Sequence, residues 1–126
     1  MKFLSLQHIS IEDPGTFKDF LLEDGHALTT IQLDEGDSIP TNLNEFDAML
    51  CMGGPMDTYM EKEYPWLINE KKKIKEFVVD LKKPYLGFCL GCQLLGEAVG
   101  GKVVKSTPAE IGMMDINFTK EKNQDN

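Results

Sequence analysis

The stretch that decides the fold is GFCLGCQ, residues 87–93, in which Cys89 joins an apolar run to a run typical of a helix. Gly87 stands two residues before the cysteine, and Gly91 stands two residues after it. This is the spacing of a nucleophile turn between a strand and a helix, here with cysteine as the central residue. The glycines permit a sharp turn without side-chain clashes, so the sulfur can be held exposed on a strained backbone.

The helix that begins after Cys89 predicts two chemical effects at the sulfur. The positive end of the helix dipole favours the thiolate form. The backbone N–H of Leu90 points to where an oxyanion would form during attack on a carbonyl. A second N–H donor is expected from the GGP run at 53–55, which follows the apolar residues 46–52. In a parallel sheet, both strands would end at the edge where sites form.

Strands and helices alternate along the rest of the chain, which predicts an α/β fold with a parallel sheet and helices on both faces. The strands at 46–52 and 85–88 are expected to be buried on both faces. One domain, residues 1–118, is predicted, with a polar tail at 119–126. The other expected strands are 3–9, 26–33, 102–105 and 111–118, and the expected helices are about 15–25, 65–82 and one that follows Cys89.

Composition excludes several classes of protein. The chain has three cysteines, too few for a disulfide scaffold and odd in number, which predicts a reducing cytoplasm. No apolar run approaches the roughly 18 residues of a membrane span. A net charge of -8, a pI near 4.7 and the lack of any arginine argue against nucleic acid as a partner. The lysines at 71–75 are interpreted as the solvated face of a helix.

The sequence resembles the class I glutamine amidotransferases, in particular small proteins similar to the amidotransferase domain of GMP synthase. Motifs support the resemblance from about residue 46 to 116. It implies a flavodoxin-like three-layer sandwich with a mainly parallel sheet, incomplete at the C-terminus. The matching stretches occur in the family's order: MGGPM at 52–56, YPWL at 64–67, KPYLGFCLGCQLLGEAVGGKV at 83–103 and EIG at 110–112.

The resemblance also implies an activity, which is hydrolysis of the side-chain amide of glutamine with release of ammonia to a synthetase partner. On this interpretation Cys89 is the nucleophile and forms a thioester. The backbone N–H groups of Gly54 and Leu90 form the oxyanion hole, and Gly53 and Gln93 hold the substrate. No cofactor and no metal are expected.

The sequence departs from the family pattern at the general base. The family activates its cysteine with a downstream histidine that is followed two residues later by glutamate, but no histidine follows Cys89 here. The two histidines, His8 and His26, lie upstream. His8 is expected at the end of a strand, either in a surface or packing role or close to the site. The chain is therefore predicted to hold the N-terminal part of the domain and to be inactive or weakly active alone.

Two other functions stay open on the sequence alone. The chain could be a non-catalytic interaction module of the same fold, or a thiol-disulfide redox protein that uses Cys89 and Cys92. Cys51 is expected in the core, and small apolar packing is the favoured role of Cys92. Because the predicted sheet would keep a bare apolar edge, a homo-oligomer is also expected, with residues 111–118 as the segment most in need of a partner.

Overall fold

The computed structural model describes residues 1–108, 112–115 and 117, and it is built on a sheet of four parallel strands in the order β2-β1-β3-β4. The fold class is α/β, as predicted. The strands are β1 (Lys2–Gln7), β2 (Ala27–Gln32), β3 (Ala48–Cys51) and β4 (Tyr85–Gly87). The helices are α1 (Thr16–Glu23), α2 (Trp66–Lys75), which continues as a π-helical turn (Glu76–Asp80), and α3 (Leu90–Ala98).

Helices cover both faces of this sheet because apolar side chains alternate along its central strands. On one face, Phe3 of β1 and Leu50 of β3 pack with Leu21 of α1. The opposite face carries the larger apolar cluster, in which Leu4 and Met49 belong to the strands. In that larger cluster the strands pack with α2 and α3 through buried side chains such as Leu67, Ile74, Phe77, Leu90 and Leu94. The result is three layers.

The predicted burial of the strands holds for β3 and fails for β4. All four residues of β3 are buried, because β3 lies between β1 and β4 and its side chains pack into apolar clusters on both faces of the sheet. β4 pairs with β3 on one side and has no strand on its other side among the described residues. Leu86 is therefore 44% exposed, and Phe88 just after the strand is 39% exposed.

The strand predicted at residues 102–105 is wrong, since these residues have no strand partner in the described part of the chain. Pairing in a sheet needs a neighbouring strand, and the apolar pattern of this short segment cannot report whether one is present. The strand predicted at 111–118 and the tail at 119–126 fall wholly or partly outside the described residues, and 112–115 and 117 are not in a strand.

No helix within the described residues is long and apolar enough to cross a membrane. The lysine-rich helix α2 is also less solvated than its sequence predicted. Lys71 bonds to Glu61 and Glu97, and its side chain is only 17% exposed. Lys73 pairs with Glu76 and is 15% exposed. Long lysine stems cover apolar surface while the ammonium groups reach acceptors, which the charge pattern alone does not reveal.

Candidate functional site

The turn between β4 and α3 holds Cys89 in an unusual conformation. Cys89 has φ 49° and ψ -106°, and it is one of two non-glycine residues with positive φ among those described, the other being Lys82. Such backbone conformations cost about 1–3 kcal/mol and persist where the surroundings enforce them. The Cys89 side chain is exposed, as the sequence predicted for the sulfur.

The glycines on either side of Cys89 are needed because backbone segments approach each other closely there. A Cβ on Gly87 would lie 2.6 Å from the nitrogen of Cys92. A Cβ on Gly91 would lie 2.7 Å from the carbonyl carbon of Cys51 and closer still to its oxygen. Real side chains do not tolerate such distances. Glycine at 87 and 91 therefore lets α3 start directly against the ends of β3 and β4.

The loop after β3 lies beside this turn. The strands β3 and β4 are in register at Cys51 and Gly87, so the residues that follow each strand emerge at the same edge of the sheet. A Cβ placed on Gly53 would be 3.6 Å from Cβ of Cys89, and one on Gly54 would be 3.1 Å from Cδ2 of Leu90. The two segments that the sequence predicted as neighbours are thus brought together.

Several backbone N–H groups at this junction have no acceptor within the described residues. They are those of Gly53 and Gly54 in the loop after β3, and those of Cys89 and Leu90 at the turn. By contrast, the N–H groups of Gly91 and Cys92 donate to the carbonyl groups of Phe88 and Cys89. Unpaired backbone donors are uncommon except at the start of a helix, and a group of them beside one sulfur is a typical anion-binding arrangement.

The other predicted substrate contact, Gln93, lies one helical turn after Cys89, and its N–H donates to the Cys89 carbonyl at 3.3 Å. Its side chain is exposed. Cys92 is exposed as well, so its predicted packing role is wrong. The apolar face of α3 consists of Leu90, Leu94 and Ala98, and position 92 lies off that face.

Cys51 occupies the core as predicted. It is fully buried at the end of β3, and its sulfur donates to Oε1 of Glu70 at 3.3 Å. Burial, together with the negative charge of Glu70, raises the pKa of the Cys51 thiol well above its ordinary value. Cys51 is therefore neutral and shielded, whereas Cys89 is open to solvent.

Glu70 also binds His8, and this buried pair contacts the loop of Gly53 and Gly54 after β3, here called the glycine loop. Nε2 of His8 is 2.9 Å from Oε1 of Glu70, and Nδ1 is 2.8 Å from the carbonyl oxygen of Gly53. Neither side chain of the pair is exposed to solvent. The His8 ring stacks on Trp66, with 5.5 Å between the ring centroids. His8 thus has a role in supporting this loop and is not a surface residue.

The residues His8, Cys51 and Glu70 also have the chemistry of metal ligands, since one ligand atom from each lies within 4.8 Å of the others. Their separations of 2.9 Å and 3.3 Å are those of direct hydrogen bonds. An ion between donor and acceptor would push them further apart, because each metal–ligand bond is about 2.0–2.3 Å long. The three residues form a hydrogen-bonded network.

A carboxylate that the sequence did not single out lies at the same place. Glu12, in the loop between β1 and α1, brings a carboxylate oxygen so close to Gly53 that any Cβ there would clash with it. Because Gly53 is also next to Cys89, Glu12 puts negative charge beside the exposed sulfur.

The segment that follows Pro55 is fixed in place by a cluster of polar side chains. The ammonium group of Lys71 bonds to Glu61, Glu97 and the carbonyl of Thr58, and the Thr58 hydroxyl donates to Glu97 at 2.9 Å. Together these bonds connect the loop to α2 and α3. Tyr59 lies in the same segment, but its side chain is 58% exposed.

One signal in the sequence could have revealed the buried pair. Leu67, Ile74 and Phe77 mark the apolar stripe of α2, and Glu70 falls on that stripe at helical spacing. A carboxylate at such a position needs a buried partner. The identity of the partner, 62 residues away in the sequence, is not encoded in any local pattern.

Comparison with known proteins gives the class to which this fold and site belong. The family profile "Glutamine amidotransferase class-I" matches residues 17–125. The chain therefore belongs to the class I glutamine amidotransferases, as the resemblance implied. Their solved relatives include a glutamine amidotransferase from Methylobacillus flagellatus, with a TM-score of 0.80 and 33% identity over 88% of this chain and 43% of that chain. One from Thermotoga maritima has a TM-score of 0.74 and 31% identity over 79% of this chain and 43% of that chain.

Curated relatives support the same family. The putative glutamine amidotransferase-like protein YfeJ of Salmonella typhimurium is 30% identical over 90% of this chain and 48% of its own length. A glutamine-hydrolysing GMP synthase subunit of Sulfurisphaera tokodaii is 33% identical over 63% of this chain and 39% of its own length. The chain thus spans less than half the length of these relatives.

Proposed function

We propose that the chain carries the acylation half of a glutaminase site, with Cys89 as the nucleophile and Gly54 and Leu90 as the oxyanion donors. The observation that carries this proposal is that the N–H groups of Gly54 and Leu90 have no acceptor within the described residues and lie beside an exposed cysteine. Backbone donors from two neighbouring segments suit the tetrahedral intermediate of acyl transfer.

The proposed hydrolysis of glutamine has two steps, acylation of Cys89 and hydrolysis of the thioester. The sulfur of Cys89 attacks the γ-carbonyl carbon of glutamine, and the carbonyl oxygen takes up negative charge between the N–H groups of Gly54 and Leu90. The C–N bond breaks, ammonia leaves with the thiol proton, and a γ-glutamyl thioester remains. Water then cleaves the thioester to glutamate and free thiol.

The polar groups near the Cys89 sulfur suit an amino acid as substrate. Glu12 offers a carboxylate to the α-ammonium group of glutamine, and Gln93 offers an amide from the first turn of α3. We further propose that the ammonia goes to a synthetase partner, as the names of the GMP synthase relatives suggest. The three free cysteines suit a reducing compartment, and we therefore propose that the protein is cytoplasmic.

A diazo ketone analogue of glutamine, 6-diazo-5-oxo-L-norleucine, tests the proposal. We expect one equivalent to attach to Cys89, because attack of the sulfur on the diazo carbon releases N₂ and leaves a stable thioether. Mass-spectrometric peptide mapping should show modified Cys89, with Cys51 untouched, and excess L-glutamine should slow the reaction. Cys92→Ser is the matched control and should be captured at the wild-type rate.

The competing functions predict other results. A non-catalytic module would show no protection by glutamine. A redox protein would show a Cys89–Cys92 disulfide that forms reversibly in glutathione buffers, and Cys92→Ser would abolish it. Equal modification of Cys89 and Cys92 without protection by glutamine would contradict the proposal.

We also propose that the 126-residue chain forms a homo-oligomer through the outer edge of β4. This edge has no partner strand within the described residues, and a groove of about 160 Å³ beside it is lined by Phe17, Leu86 and other apolar residues. A second copy would add its own β4 at this edge and cover Leu86.

We expect light scattering after size exclusion, at micromolar concentration, to give the mass of a dimer or larger species. Leu86→Lys should shift the measured mass toward that of the monomer. A monomer with a sharp melt would contradict this proposal.

A further inference from the structure

Both ring nitrogens of His8 are used, and each bond has a consequence for the glycine loop. The acceptor of the Nδ1 bond is the carbonyl oxygen of Gly53, at 2.8 Å. This carbonyl belongs to the same planar peptide unit as the N–H of Gly54, and in a trans peptide the two point in opposite directions. Fixing the carbonyl of Gly53 toward His8 therefore fixes the N–H of Gly54 toward the other side.

We propose that His8 is a positioning residue that aims the Gly54 N–H at the oxyanion site, and that a proton shared between His8 and Glu70 is required for this hold. The inference rests on the proposed function and deepens it. His8 never touches the substrate in this scheme. It acts through the peptide unit that joins Gly53 to Gly54.

The need for the proton follows from counting donors and acceptors. The Gly53 carbonyl and the Glu70 carboxylate both accept hydrogen bonds, so a ring between them must donate from both nitrogens, or Glu70 must itself carry the proton. A neutral ring beside an ionised Glu70 satisfies only one neighbour, because its second nitrogen presents a lone pair to an oxygen. After loss of the shared proton the ring keeps one N–H, which stays with the charged Glu70 carboxylate because charge-assisted hydrogen bonds are the stronger ones. The lone pair of Nδ1 then faces the Gly53 carbonyl, and the bond to Gly53 is lost.

The surroundings of His8 favour its protonated form. Burial is the largest single influence on the pKa of His8 and lowers it. The hydrogen bond and charge of Glu70, the Gly53 carbonyl and the Glu12 carboxylate together outweigh burial, so the pKa lies above its ordinary value of 6.5. The remaining neighbours, Cys51 and Trp66, bring no positive charge. The hydrogen bond from His8 to the Gly53 carbonyl is therefore fully formed at low pH. It is lost as the pH rises through the raised pKa of His8.

Two reagents separate positioning from simple reactivity. N-acetyl-L-glutamate γ-(p-nitrophenyl) ester acylates Cys89: the sulfur attacks the carbonyl carbon, and p-nitrophenolate leaves with the electron pair of the C–O bond. This step passes through an oxyanion. Iodoacetamide alkylates the same sulfur by displacing iodide and forms no oxyanion. Because both reactions need the thiolate, the ratio of their rates cancels its ionisation and reports the oxyanion donors.

The ratio is measured between pH 6 and 10 in a Cys92→Ser background, for three versions of the chain. With His8 and Glu70 intact, the ratio should fall by about 10- to 100-fold as pH rises, since loss of one full oxyanion donor costs about 10²–10³. In Glu70→Gln, the amide N–H₂ can donate to Nε2 while Nδ1–H still donates to Gly53, so the ratio should stay high and flat. In His8→Phe/Glu70→Leu, which removes the buried charge with the ring, it should stay low and flat.

A purely structural role for His8 predicts something different. Fluorescence melts establish that each variant is folded, and a folded His8→Phe/Glu70→Leu chain with a wild-type ratio would overturn the proposal. So would a Glu70→Gln chain with the wild-type pH dependence. If neither the ester nor 6-diazo-5-oxo-L-norleucine modifies wild-type Cys89, the proposed function fails. NMR decides the positioning role separately in that case, and also if the ester alone fails, because the ester lacks the α-ammonium group that Glu12 is proposed to bind. The Gly54 amide resonance should shift with the His8 titration, and an amide that does not follow it would overturn the inference.

Discussion

Replacement of Gly91 by alanine should lower the free energy of unfolding by about 3 kcal/mol, whereas the same change at Gly96 should raise it by about 1 kcal/mol. Both glycines lie in α3. A methyl group at 91 would meet the backbone and Cβ of Cys51, whose carbonyl already accepts a bond from Phe88. A methyl group at 96 meets nothing within 4 Å, so only the helix propensity changes.

Thermal melts followed by circular dichroism would check this pair. Because about 1 kcal/mol corresponds to roughly 3–6 °C in a chain of this length, the two variants should melt about 12 °C or more apart. Gly96→Ala controls for the loss of glycine flexibility, which is common to both changes. Equal melting temperatures would mean that α3 does not start against the end of β3, and the geometry at Cys89 would then be incorrect.

The second large effect concerns turnover. We expect the 126-residue chain to hydrolyse glutamine about 10²–10⁴-fold more slowly than an ordinary enzyme, because general-base catalysis contributes about that factor. His8 has both nitrogens engaged and is fully buried. His26 lies beside Met1 and Phe3, at the opposite end of β1 from the site. Neither histidine is placed to take a proton from Cys89.

Chemical rescue gives the measurement. Ammonia release from glutamine, followed with a coupled dehydrogenase, should be slow in buffer and should rise with added imidazole, which supplies a base. Pyrazole, which has the shape of imidazole but is too weakly basic to accept the proton, reports any general solute effect at matched ionic strength and pH, and Cys89→Ser should respond to neither. Turnover at about 1–10³ per second without imidazole would show that His8 or a second copy of the chain provides the base.

The parts of the fold that could be predicted are those set by local patterns. The four strands β1 to β4 were each located to within two residues, because apolar runs between turn residues are local signals. The turn at Cys89 was found for the same reason, since two glycines and a helix start lie within seven residues. Burial of β4 was predicted incorrectly because a sequence run does not show whether a strand is central or at an edge.

The supporting residues of the site were missed for a different reason. Glu12 and Glu70 act through tertiary contacts, and the pair of His8 and Glu70 joins β1 to α2 across 62 residues of chain. Among many acidic residues, most are solvated, so composition gives no reason to select these two. The position of Glu70 on the apolar stripe of α2 was the one readable sign.

The backbone at Cys89 has a consequence for how this sequence evolves. At φ 49°, glycine is easier to accommodate than any side chain, so Cys89→Gly would relieve strain of about 1–3 kcal/mol. Selection for folding alone would favour glycine at this position. Cysteine there lowers the stability of the fold, and a benefit from the thiol would offset that cost. The strained position thus gives a reason, independent of any relative, to expect that the sulfur is used.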